Sequence, residues 1–88
     1  MNRYLVEFIS TLFFVYVILA TGNPLAIGAA LALALTLAGP VSGGHLNPAV
    51  SVVMAAAGKL EVSELAGYVA AQVLGGLVAL QIYKRYKL

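Results

Sequence analysis

Between Arg3 and Lys59 the sequence carries a single charged side chain, Glu7. Few folds accept such a stretch. Soluble domains carry roughly 25% charged residues, whereas this chain carries 9%, against 62% hydrophobic. At 88 residues it forms one domain at most, and a small soluble domain needs more polar surface than this to cover itself. The composition indicates an integral membrane protein. The formal charge is +2, and the basic residues Arg3, Lys59, Lys84, Arg85 and Lys87 stand mostly at the ends of apolar runs. That placement suits lipid headgroups and offers no basic face to a nucleic acid. With no cysteine there is no disulfide framework and no thiolate metal site.

The run "YLVEFISTLFFVYVILA" predicts a first transmembrane helix over 4–21. At about 1.5 Å per residue it approaches the roughly 30 Å of a bilayer core. Its start resembles a secretory leader, but Glu7 falls early and no small-x-small site follows, so cleavage is not expected. In "TGNP", Asn23 suits the N-cap and Pro24 the first helical position. The second transmembrane helix is then expected over 24–39, stopped by Gly39-Pro40.

Residues 40–58 read differently. The segment "AVSVVMAAAG" makes a helix of roughly 15 Å, half a bilayer. The polar backbone before it cannot face lipid, because its amides would lack partners. A re-entrant loop and half-helix, buried in protein or lining a wet cavity, resolves both facts. "KLEVSE" is the polar connector, with Ser63 expected to cap the last helix and Glu64 in its first turn. A third span over 63–84 follows, with Tyr83 and Tyr86 suited to the interface. The expected fold is an all-α membrane protein, one unit over 1–88, with three transmembrane helices and one re-entrant half-helix.

Small residues recur every fourth position at Gly67, Ala71, Gly75 and Ala79. The second helix has two such rows, Gly28/Ala32/Thr36 and Ala30/Ala34/Ala38. Rows of this kind let membrane helices approach closely, although abundant Ala and Gly also produce them without a packing role.

Asn47-Pro48-Ala49 is the chemically pointed stretch. As N-cap, Asn47 accepts through its side-chain oxygen from the backbone N–H of Ala49 or Val50. Its NH₂ then faces away from the helix as a donor. Pro48 opens the helix, and Ala49 keeps the approach narrow. The helix N-terminus adds about half a positive charge. Such a spot offers hydrogen bonds to an oxygen and repels cations. The same pair at Asn23-Pro24 reads as a plain helix start, so the tripeptide alone does not make a site.

The wider stretch "SGGHLNPAVSV" resembles the first Asn-Pro-Ala loop of the aquaporin and glycerol-facilitator (major intrinsic protein) family. The resemblance extends along most of the chain, through the "VEF" of the first helix, Gly28, and Tyr68 with Gln72. It implies that Glu7 accepts hydrogen bonds from loop amides, that Gln72 braces the loop, and that His45 packs and bonds inside it, with Gly43 and Gly44 turning the backbone. The alternatives are a Glu7 that snorkels to the interface and a His45 without a set partner.

Family members are built as two inverted repeats with six spans and two half-helices, and this chain resembles one repeat. The resemblance therefore implies a pore completed by an inverted second half. Lys/Arg residues number two at one end (Arg3, Lys59) and three at the other (Lys84, Arg85, Lys87), a weak orientation bias. This leads to an antiparallel homodimer as the expected partner arrangement, with any higher oligomer left open. Where the family's second repeat typically carries Arg after Asn-Pro-Ala, this chain has Val50. Ile27 stands where many water-selective members have an aromatic. The expected function is passive conduction of water or small neutral solutes such as glycerol, without cofactor, metal or enzymatic chemistry. A non-conducting accessory or truncated repeat and a cation-leaky pore are the competing expectations.

Overall fold

The computed structural model describes residues 1–86, so Lys87, counted above toward the orientation bias, lies outside the described residues. The helices are α1 (Arg3–Thr21), α2 (Pro24–Ser42), α3 (Pro48–Ala56) and α4 (Val62–Arg85). α1, α2 and α4 are each long and apolar enough to cross a membrane. The molecule measures 39 × 23 × 23 Å, and its long axis matches a bilayer with its headgroup regions.

Local chemistry sets most helix ends. Asn2 caps α1, its Oδ1 accepting from Tyr4 N at 2.7 Å and Leu5 N at 3.1 Å. Gly22 closes α1 at φ 55°, a left-handed conformation that costs glycine little. Asn23 caps α2 through Leu25 N and Ala26 N at 2.9 and 3.0 Å, with Pro24 at the first helical position.

Two boundaries depart from the sequence reading. α2 does not stop at Gly39-Pro40 but continues to Ser42, carrying Pro40 inside it. Proline there forfeits one backbone bond, to the Thr36 carbonyl. The extra turn is held by tertiary contacts: Ser42 is buried and donates to Glu7, and Gly43 N donates to the Gly39 carbonyl. The second difference is at α4. It begins at Val62, one residue before Ser63, and its N-cap Glu61 makes no side-chain cap bond. Ser63 is therefore exposed inside the first turn and caps nothing.

α1 is the central helix, packed against both α2 and α4, while α3 lies on α4. α1 and α4 start at the same end of the molecule, where Arg3 pairs with Glu64 at 2.7 Å. Their seam uses the four-residue row of α4. Ala71, Gly75 and Ala79 are buried, and a Cβ on Gly75 would stand 2.5 Å from the Phe8 carbonyl oxygen. A Cβ on Gly67 would meet the Tyr4 ring at 2.5 Å. On α2 the buried row is Ala30/Ala34/Ala38, whereas Gly28, Ala32 and Thr36 are exposed. At nine residues, α3 is roughly 14 Å long by its helical rise, about half of a bilayer core.

Candidate functional site: a half-helix hung on a buried carboxylate

The link from α2 to α3 folds back through unusual backbone. Gly43 and Gly44 take φ 91° and 66°, and Leu46 takes φ 55°. For a non-glycine residue the left-handed conformation costs roughly 1–2 kcal/mol, and it persists only where surroundings impose it. The imposing group is Glu7. Its Oε2 accepts from Ser42 Oγ at 2.6 Å and His45 N at 3.0 Å. Its Oε1 accepts from Leu46 N at 2.8 Å and Gln72 Nε2 at 3.0 Å. Glu7 is fully buried, and four donors match the acceptor-only inventory of a carboxylate. Two of them are loop amides that would otherwise lack partners inside a membrane. Glu7 thus bonds inside the protein and does not snorkel.

Gln72 bridges α4 to α3. The NH₂ that meets Glu7 also donates to Ser51 Oγ at 2.9 Å. Ser51 Oγ in turn lies 2.7 Å from His45 Nδ1. The His45 ring packs on Tyr68, centroids 4.9 Å apart, and the Tyr68 hydroxyl donates to the Ser42 carbonyl at 2.7 Å. Ser42 Oγ closes the turn by accepting from Gly44 N at 3.2 Å. One network therefore ties α1, α4, the loop and α3. Ser51 and the Ser42 hydroxyl are its unanticipated members. The signal for Ser51 is a lone polar residue inside an apolar half-helix, four positions after Asn47.

The remaining site residues fall into two places. Asn47 caps α3, its Oδ1 accepting from Ala49 N at 2.7 Å. Asn47 is exposed, and its Nδ2 finds no acceptor among the described residues. Ala49 is also exposed, and Pro48 and Val50 are half-buried in the first turn of α3. Ile27 is not brought to this group. It is half-buried in the first turn of α2, about 22 Å along that helix from Ser42 at 1.5 Å per residue.

Three apolar spans around a re-entrant half-helix held by an internal carboxylate define an integral, multi-pass membrane protein with a polar centre. The pattern of the major intrinsic proteins matches residues 1–87, and the chain belongs to that family. It is 38% identical to glycerol uptake facilitator protein-like 6 of Lactiplantibacillus plantarum over 98% of this chain and 44% of that protein. It is 49% identical to the aquaglyceroporin AqpS of Rhizobium meliloti over 62% of this chain and 24% of the relative. Aquaporin Z of Rhodopseudomonas palustris is 37% identical over 89% of this chain and 39% of its own length. The chain thus spans less than half the length of each of these relatives.

Proposed function

We propose that the protein forms half of a passive channel for water or small neutral solutes such as glycerol, and that a second, inverted copy supplies the other half. The observation that carries this reading is the free Nδ2 of Asn47 at the tip of α3. The cap bond to Ala49 N fixes the amide, so its donor end points outward at the N-terminus of a half-helix. A passing solute oxygen can accept from that amide, and the helix dipole opposes cations at the same point. In the pair, two Asn47 amides and two helix ends meet at the midplane. Relatives named as aquaporin, aquaglyceroporin and glycerol uptake facilitator agree with the solute class.

Antiparallel pairing requires chains in both orientations, and the small Lys/Arg asymmetry permits it. The chain has no cysteine, so a single introduced thiol reports its own side of the membrane. Ser63→Cys and Tyr86→Cys, exposed near opposite ends, are labelled in intact cells with an impermeant thiol reagent. Partial labelling of both is expected. Complete labelling of one and none of the other removes the homodimer. It leaves a separate partner half or an accessory role.

Val50 favours a second reading in one respect. Without a cation at that position in either copy, exclusion of ions rests on the helix ends and amides alone. A steady cation conductance in planar bilayers would identify a leaky pore.

A further inference from the structure

The hydrogen bonds around Ser51 fix the protonation of the only histidine in the chain. The Gln72 amide is oriented by Glu7, since its oxygen would be repelled there, so Nε2 donates to both Glu7 and Ser51. Ser51 Oγ is thereby an acceptor once, and its own hydrogen needs a partner because the residue is fully buried. Thr21, Thr36 and Ser42 each bond back to the carbonyl four residues earlier, but Ser51 makes no such bond. The acceptor left for its hydrogen is His45 Nδ1, at 2.7 Å. A ring that accepts at Nδ1 carries its proton on Nε2.

That Nε2–H has no acceptor among the described residues, although His45 is only 8% exposed. Its edge lies against Gly43, where a Cβ would come within 3.2 Å of Nε2. Both residues line a polar cavity of about 430 Å³ at the Arg3 end, with Ser42, Tyr68, Lys59 and Glu61. Two cations and two carboxylates border it, and Arg3 is committed to Glu64 at 2.7 Å. Such a mouth has no net charge to draw an ion, and its buried unmatched group is a donor.

We infer that the Gln72–Ser51–His45 relay makes His45 Nε2–H a solute-binding donor in this cavity, taking an oxygen of a small uncharged hydroxyl compound before it reaches Asn47. Gly43 keeps the approach open, and Ser51 is the positioning residue. The solute class rests on the channel reading. The tautomer and the vacant donor do not.

One histidine means that ¹⁵N-histidine labelling yields one imidazole. In bilayers near neutral pH, its nitrogen spectrum should show protonation at Nε2 alone. Glycerol should move the Nε2 resonance saturably and leave Nδ1 nearly unmoved. Ser51→Ala should release the ring into a mixture of tautomers. Gly43→Ala should abolish the glycerol response without changing the tautomer. A wild-type ring protonated at Nδ1 overturns the inference, and so does an Nε2–H indifferent to glycerol. Neither readout requires flux. Conducting vesicles with an unresponsive ring would remove this site and leave the channel, and the reverse pattern would remove the channel reading alone.

Discussion

Glu7 shows how one residue fixes a loop. Its carboxylate satisfies two amides, a hydroxyl and a carboxamide at once, and it holds Leu46 in a conformation the chain would not choose. Glu7→Gln keeps the volume but turns one acceptor into a donor facing donors. It should lower stability by about 3 kcal/mol, the scale of an unmatched buried polar pair, read as a fall in detergent melting temperature. Thr11 is the internal contrast. It is buried and its hydroxyl has no hydrogen-bond partner, so Thr11→Val, of matching shape, should be neutral or stabilising by up to about 1 kcal/mol. A large loss at Thr11 would show that its hydroxyl is matched after all. At this scale the sequence displayed Glu7, Gln72 and His45 because polar residues are conspicuous in apolar runs. Ser51 stayed hidden because a serine in a helix is unremarkable until a distant Gln72 and His45 are brought to it.

At the scale of elements, α1 and α4 approach until backbone meets backbone. A methyl at Gly75 would stand 2.5 Å from the Phe8 carbonyl oxygen, and rigid backbone cannot move aside as a side chain can. Gly75→Ala should therefore part the helices and cost about 2 kcal/mol, the range of overpacking in a tight core. Gly76→Ala, where the nearest neighbour is Val15 Cγ2 at 3.8 Å, should be neutral or slightly stabilising. Melting of the two variants side by side checks the pair, and equal effects would contradict the close seam. The four-residue spacing on α4 was readable, since that seam uses it. On α2 the sequence held two rows and no means of choosing between them, because only contact with α1 buries Ala30, Ala34 and Ala38. The end of α2 was misjudged because Pro40 is a local stop signal, overridden by Ser42 reaching Glu7 from another helix. Local rules describe a helix alone, and this turn is held from outside.

The whole molecule places a half-length helix inside a membrane-sized bundle and leaves the amide at its tip unmatched. In the proposed pore, Asn47→Asp should weaken ion exclusion most, because a negative charge replaces the donor where the helix ends concentrate positive potential. Proton-leak measurements in vesicles check this, and unchanged exclusion with unchanged water flux would take Asn47 out of the pore. Val50→Arg should slow glycerol more than water by narrowing and charging the path. The bilayer setting was legible from composition, since 9% charged residues cannot cover a soluble core. The second half was not, because association lies between molecules while sequence periodicity reports one chain's own packing. The most direct measurement is stopped-flow shrinkage of vesicles containing this chain as their sole protein. The account predicts osmotic shrinkage faster than that of protein-free lipid, with no proton leak. Shrinkage at the lipid rate from well-folded protein would contradict it.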